Sequence, residues 1–156
     1  MKRMFKVVAI LFFTLAAAGM VLAKDDPFVG TWKLDVAKSK YDPGPAPKSQ
    51  TRTWDASGKV TVEGVNAAGK AVNYGYPIMN DGKDYPTSGT VPNGADMISS
   101  KKLGPNTVEV NFKRGGKPAE TTKFTVSNGG KTLTIAAKGT NPDGSAFNNV
   151  TVWEKQ

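Results

Sequence analysis

The sequence predicts an all-β fold, an antiparallel up-and-down meander of about eight to ten strands that closes into a barrel. Segments that alternate apolar and polar residues follow one another at short spacings, separated by Gly, Pro, Asn and Asp. No segment shows a sustained helical period of 3.6 residues. Because an open meander leaves two exposed edges, we expect the first strand to pair with the last.

Residues 1–23 have the layout of a secretory signal peptide. Three cations within the first six residues precede an apolar run from Val7 to Ala23. Residues tolerated at the −3 and −1 positions place the predicted cleavage site after Ala23. We therefore expect a periplasmic or secreted protein. An uncleaved membrane anchor is the alternative, because the apolar run approaches the length of a bilayer span.

Residues 24–156 are expected to form one domain. Removing 23 of the 156 residues leaves 133 and lowers the formal charge from +8 to +5. A chain of this length buries about two thirds of its unfolded surface in a single core. The positive charge favours solubility and admits weak association with anionic components of the cell envelope. We expect a monomer without a nucleic-acid partner.

The sequence contains no Cys and no His. Disulfide bonds, metal sites with Cys or His ligands, and Ser-His or Cys-His nucleophile pairs are therefore excluded. We expect no catalytic residue, no metal and no cofactor. A hydrolase that uses two of the 13 Asp and Glu side chains as acid and base is the remaining enzymatic alternative.

The first predicted strand lies in Phe28–Leu34, a segment that contains a Gly-x-Trp motif. Three prolines follow within residues 42–47. Because Pro fixes φ and lacks an N–H group, this segment is predicted to be a loop. Residues 80–95 are predicted to be the least regular part of the domain, with one short strand near residues 83–85. The remaining strands are predicted over residues 51–54, 59–65, 71–79, 97–103, 107–113, 120–126, 132–137 and 147–154.

A barrel of this size can enclose one small molecule. The aromatic residues predicted to line such a cavity are Trp54, Tyr74, Tyr76 and Tyr85. Packing in a solid core is the alternative for each of these rings. Arg52 shares its strand face with Trp54. If that face points inward, the guanidinium needs an anionic ligand or a carboxylate partner such as Glu63.

Phe28–Leu34 resembles the opening of the lipocalin and fatty-acid-binding-protein barrels of the calycin superfamily, in which a Gly-x-Trp motif begins the first strand. Val152–Lys155 is similar to the aromatic-Glu-Lys ending of fatty-acid-binding proteins. The resemblance implies a calycin-like barrel, with Gly30, Trp32 and Trp153 at its closure. It also implies an exported bacterial lipocalin-like protein.

The sequence departs from the family pattern at three places. Residues 42–48 form a Pro-rich loop where animal fatty-acid-binding proteins insert a helix-turn-helix lid. Thr151 stands at the position of the Arg that binds a fatty-acid carboxylate in those proteins, so the predicted site has a hydroxyl there. Lipocalins stack an Arg from the end of the chain on the Gly-x-Trp indole. Because no Arg follows Arg114, Lys155 takes that place as a point charge.

The leading hypothesis is a barrel that binds a small, largely apolar ligand without performing chemistry. The second hypothesis is an envelope-associated structural, interaction or inhibitor module that uses its loops and basic residues. The cations assigned to that basic surface are Lys101, Lys102, Lys113 and Arg114. A cavity inside the barrel supports the first hypothesis, whereas an interior packed solid with side chains would exclude it.

Overall fold

The computed structural model describes residues 25–156, so the predicted signal peptide lies outside the described residues. Eleven strands and one short 3-10 helix, Asn128–Gly130, make up this part of the chain. None of its helices is long and apolar enough to cross a membrane. The strands are β1 Gly30–Lys40, β2 Ser49–Trp54, β3 Lys59–Val65, β4 Ala71–Pro77, β5 Tyr85–Pro86, β6 Ser88–Gly89, β7 Met97–Gly104, β8 Thr107–Arg114, β9 Lys117–Ser127, β10 Thr132–Thr140 and β11 Ala146–Lys155.

The strands form one antiparallel sheet in the order β5-β7-β8-β9-β10-β11-β1-β2-β3-β4-β6. The predicted meander is confirmed, since consecutive long strands pair with each other everywhere except between β4 and β7. The predicted pairing of the first and last strands is also confirmed, with Leu34 opposite Trp153. The sheet therefore curls into a barrel that is nearly closed.

Residues 78–96 span the remaining gap between β4 and β7. This strap carries the two shortest strands, of which β6 pairs with β4 and β5 pairs with β7. Further backbone hydrogen bonds join it to both sides, from Thr90 N to Asn73 O and from Gly82 N to Ser100 O. The predicted short strand near residues 83–85 is thus shifted by about two residues and is followed by a second.

Strand β1 continues well beyond the predicted segment, to Lys40. Its outer half pairs irregularly with β11, since the register shifts between Asp35 and Lys40. The fading apolar alternation therefore marks an irregular part of the strand and not its end. Residues 41–48 form the predicted loop.

The inward-facing residues of the long strands form one hydrophobic core, and they obey the period of two predicted from the sequence. One end of the barrel is filled by aromatic rings. Trp32 is fully buried, and its Nε1 donates a 2.9 Å hydrogen bond to the carbonyl oxygen of Phe28. The Phe28 ring stacks on Trp54 with 4.8 Å between centroids, and Trp54 meets the edge of Phe124 at 5.8 Å. These four residues constitute the closed end.

Lys155 covers the closed end from the outside. It lies opposite Trp32 in the β1–β11 ladder, and its Nζ is 5.0 Å from the centroid of the Trp32 ring. Gly30 makes room for this contact, because a Cβ atom there would lie 2.6 Å from Lys155 Cε. Its φ of 141° is also a conformation that favours glycine. The Gly-x-Trp spacing thus provides both the plug and the space for the cation above it.

Replacing Trp32 with Ala should lower the free energy of unfolding by about 3–5 kcal/mol, because a fully buried indole leaves a cavity that the closed end cannot refill. Urea denaturation followed by fluorescence measures the change. Val36→Ala in the same strand provides the control, since Val36 is 37% exposed, and it should stay within about 0.5 kcal/mol of the parent. Equal effects of the two variants would contradict the role assigned to Trp32.

Candidate functional site

The barrel interior beyond the closed end is a cavity of about 610 Å³. Its inner wall combines aromatic and aliphatic side chains with a small number of polar groups. The strand residues that line it are Gln50 and Arg52 from β2, Val72, Tyr74 and Tyr76 from β4, Phe112 from β8, Glu120, Thr122 and Phe124 from β9, Ile135 and Ala137 from β10, and Phe147, Asn149, Thr151 and Trp153 from β11. The cavity is therefore large enough for one small organic molecule.

The mouth of the cavity lies at the end of the barrel opposite Trp32. The loop after β1 borders it through Tyr41 and three of its prolines, and residues 66–68 and 90–93 complete much of the rim. Burial raises the pKa of Tyr41 to about 12, so its hydroxyl stays protonated at neutral pH. The Pro-rich loop thus forms part of the entrance, at the place where the sequence predicted a loop and not a helical lid.

Arg52 is the charged residue of the inner wall with the least solvent contact, since it is only 5% exposed. It lies opposite two fully buried residues of neighbouring strands, Trp32 and Val62, and the pleat therefore turns it inward. Its Nη1 donates a hydrogen bond to the Tyr76 hydroxyl. Its guanidinium carbon lies 4.9 Å from the centroid of the Trp153 ring, but its Nε has no hydrogen-bond partner.

Glu63 is not the carboxylate partner of Arg52, contrary to one of the sequence predictions. Glu63 stands opposite Thr51 in the β2–β3 ladder, one residue out of phase with Arg52, and is exposed. Its Oε1 accepts a 3.3 Å hydrogen bond from Asn73. The acid that faces Arg52 across the barrel is Glu120 of β9, whose charge interacts with that of the guanidinium.

Glu120 is the single acidic residue that lines the cavity within the described part of the chain. Its two carboxylate oxygens accept hydrogen bonds from Thr122 Oγ1 and from Asn93 Nδ2. Burial raises the pKa of Glu120, although the Thr122 hydrogen bond, the Arg52 charge and the Asn93 hydrogen bond oppose the rise. Burial also raises the pKa of Tyr74 and Tyr76, so both phenols remain protonated hydrogen-bond donors.

Arg52 and Glu120 are close enough to influence each other, yet they form no ion pair within 4 Å. The three ion pairs found among residues 25–156 all lie elsewhere, joining Lys38 to Asp35 and Glu154, and Lys113 to Asp84. In the same residues no group of three or more acidic side chains converges in a way that a metal ion requires. The cavity therefore holds one buried cation and one carboxyl group whose pKa is raised by burial.

Four of the six residues predicted to bind ligand line the cavity, namely Arg52, Tyr74, Tyr76 and Thr151. The Thr151 hydroxyl accepts a 2.8 Å hydrogen bond from Trp153 Nε1, so it orients that indole. The other two predicted residues, Trp54 and Tyr85, lie outside the cavity.

Trp54 and Tyr85 lie outside the cavity because the alternation of a strand does not show how far along the barrel a side chain lies. Trp54 points inward but lies at the closed end, where it packs between Phe28 and Phe124. Tyr85 belongs to the strap, where its hydroxyl donates a 2.6 Å hydrogen bond to Asp81 Oδ2. Neither ring reaches the space that a ligand would occupy.

Glu120 and Thr122 are cavity residues that the sequence reasoning missed. The alternation that turned Phe124 and Val126 inward also turns these two residues inward, so a signal was present in the period of two. Tyr41 carried no such signal, because it follows the irregular half of β1.

The cations assigned to a basic surface have different structural roles. Lys101 and Lys102 are exposed, whereas Lys113 Nζ lies 2.6 Å from an Asp84 carboxylate oxygen. The Arg114 guanidinium donates hydrogen bonds to the carbonyl oxygens of Asn93, Thr140 and Asn141, and thereby ties the strap to the β10–β11 loop. Two of the four cations are therefore engaged in contacts within the barrel.

No protein-family model matches the chain, and no curated protein matches it either. Among solved structures, it is similar to the zebrafish ileal bile acid-binding protein complexed with cholic acid, with a TM-score of 0.52 over 83% of this chain and 99% of that one. The chain has a calycin-like fold. At 14% sequence identity, the likeness concerns the architecture of the calycin-like barrel alone. It confirms the fold that the Gly-x-Trp motif and the meander predicted.

The raised pKa of Glu120 predicts how stability depends on pH. A folded-state pKa above the unfolded value near 4.5 stabilises the fold at low pH, and this contribution is lost as the pH rises through the folded-state pKa. The unfolding free energy of the parent should therefore fall relative to that of Glu120→Gln as the pH rises above about 4.5. Urea denaturation across this range measures the difference.

Glu63→Gln removes the same charge from the outer face of the barrel and provides the matched control. A constant difference between the parent and Glu120→Gln over the whole range would show that Glu120 titrates as it does in the unfolded chain.

Proposed function

We propose that the chain binds a small, largely apolar molecule in the barrel cavity and releases it unchanged. The observation that carries the proposal is the cavity of about 610 Å³, whose inner wall is mainly aromatic and aliphatic. This volume lies within the range of known small-molecule sites, about 300–1,000 Å³. Burial of apolar ligand surface supplies the binding free energy, and a few polar groups set the orientation.

The composition of the cavity supports binding without catalysis. Two-carboxylate hydrolysis needs an acid and a base that flank the reacting bond, and Glu120 is the single acid lining this cavity within the described residues. The chain contains no His and no Cys that would serve as base or nucleophile.

The structural comparison supports the same proposal. The similar zebrafish protein is a bile acid-binding protein crystallised with cholic acid. A calycin-like barrel with a hollow interior is thus compatible with occupancy by one such molecule. Because the identity is 14%, the nature of the ligand here follows from this chain's own side chains.

Filling the cavity should abolish binding. Ala137 lines the cavity, whereas the adjacent Ala136 is exposed on the outer face of β10. We expect Ala137→Trp to weaken binding of the fluorescent apolar probe N-phenyl-1-naphthylamine at least tenfold, since the indole occupies the volume that the probe needs. Fluorescence titration measures the affinity, and circular dichroism checks the fold.

The matched variant Ala136→Trp adds the same side chain to the outer face of the same strand and should leave the affinity unchanged. Binding that is equally weakened by both variants, or unaffected by both, would argue against the cavity as the site. A parent protein that does not bind the probe would overturn the proposed function itself.

We also propose that the protein is exported and acts in the periplasm or outside the cell after losing residues 1–23. The charged start and apolar run of this segment support the proposal. The protein recovered from the producing cell's envelope fraction or medium should begin at Lys24, as determined by amino-terminal sequencing and intact mass. Recovery of the full-length chain in a membrane fraction would instead favour the uncleaved anchor.

A further inference from the structure

We infer that the cavity selects amphipathic ligands that carry an anionic group, that Arg52 binds this group, and that Glu120 takes up a proton when such a ligand enters. The inference rests on the proposed function and deepens it by naming the ligand class and the coupling to protons. It depends on the placement of one cation and one acid inside an otherwise mainly apolar barrel.

Arg52 has more hydrogen-bonding capacity than the protein satisfies. A guanidinium offers five N–H donors, but Arg52 makes its single side-chain hydrogen bond to the Tyr76 hydroxyl, and its buried Nε has no partner. No carboxylate among the described residues lies within ion-pair distance. Because an uncompensated buried charge is costly, an anion that reaches these donors gains both charge-assisted hydrogen bonds and relief of that cost.

The surroundings of Arg52 favour a ligand with an apolar body. Its guanidinium carbon lies 4.9 Å from the Trp153 ring centroid and 5.4 Å from that of Phe124, and both rings line the cavity. These rings stabilise the cation but accept no conventional hydrogen bond from it. Arg52 also lies opposite the buried Trp32 of the closed end. The anionic group therefore binds deep in the barrel, and the apolar body extends towards the Pro-rich loop.

Glu120 determines how the anion is admitted. When ionised, it neutralises part of the Arg52 charge and repels a second anion in the same cavity. The titratable groups whose charges couple to this region are Arg52 from β2, Tyr74 and Tyr76 from β4, and Tyr41 from the loop after β1. The tyrosines are neutral at physiological pH, so Arg52 and Glu120 are the charges that an entering anion meets.

The elements packed beside Glu120 do not offset its charge. On its neighbours β8 and β10 it lies opposite Phe112 and Gly139. Arg114, at the end of β8, donates to the backbone carbonyl of Asn93, whose side chain in turn donates to Glu120. Since burial already favours the neutral carboxyl group, an incoming anion makes protonation of Glu120 more favourable still. By linkage, protonation of Glu120 strengthens anion binding to the same degree.

The test compares two fluorescent probes with the same ring system, N-phenyl-1-naphthylamine, which is neutral, and 8-anilinonaphthalene-1-sulfonate, which is anionic. The sulfonate stays ionised at every pH used, so any pH dependence belongs to the protein. We expect Arg52→Met to lower the affinity for the sulfonate by about tenfold or more, because the variant loses a charge-assisted hydrogen bond to the anion. The affinity for the neutral probe should change less than about twofold.

Lys123→Gln provides the matched control for loss of one positive charge, because Lys123 is exposed on the outer face of β9. It should leave both affinities unchanged. If Arg52→Met bound both probes with the same affinities as the parent, the assignment of Arg52 would be overturned. If the neutral probe binds and the sulfonate shows no dependence on Arg52, the inference fails while the proposed function stands. If neither probe binds, both fail.

The proton coupling has its own measurement. The affinity of the parent for the sulfonate should rise as the pH falls from about 8 to about 5, whereas Glu120→Gln should bind it tightly and with little change across that range. If Arg52→Met does not fold, as judged by circular dichroism, Glu120→Gln carries the test. Its affinity for the sulfonate at about pH 8 should exceed that of the parent several-fold, with the neutral probe unaffected. Unchanged sulfonate affinity and an unchanged pH slope in Glu120→Gln would overturn the coupling.

Discussion

The pairing of β1 with β11 is the constraint on which the rest of the structure depends. It removes two exposed sheet edges and sets Leu34 beside Trp153 on the inner face. On its other side, β1 pairs with β2, so Trp32 lies between Arg52 and Lys155 in a three-stranded ladder. Lys155 lays its aliphatic stem over the closed end and keeps its charged group at the surface. One short motif thereby separates solvent from the barrel interior.

The two ends of the barrel consequently differ in chemistry. The closed end is packed with aromatic rings, whereas the space towards the Pro-rich loop is hollow and contains Arg52, Glu120 and the buried tyrosine hydroxyls. A buried cation without a close carboxylate partner lowers stability relative to apolar packing. Placing that cation in a cavity, where a ligand can satisfy it, gives the unfavourable group a role in recognition. The closed end thus contributes mainly to stability, and the hollow part of the barrel contributes mainly to binding.

Much of the fold and part of the site followed from the alternation along single strands. The inward face of β4 was predicted, and with it the positions of Tyr74 and Tyr76 on the barrel wall, whereas the direction of the β2 face that carries Arg52 was left open. The same alternation, followed back from Phe124 along β9, would have identified Thr122 and Glu120. Glu63 is not the partner of Arg52, because residues of opposite phase on adjacent strands point to opposite faces of the sheet.

The sequence by itself determined the two alternating faces of the long strands and indicated that the meander closes, because the alternation of side chains is a local property of an extended backbone. The tertiary structure alone decided how deep each inward residue lies and which ones meet across the barrel. Trp54 lies at the closed end, Tyr85 lies in the strap, and Arg52 of β2 faces Glu120 of β9. Those positions depend on the curvature and register of all the strands together. The same two properties decide whether the barrel interior is a cavity or a packed core.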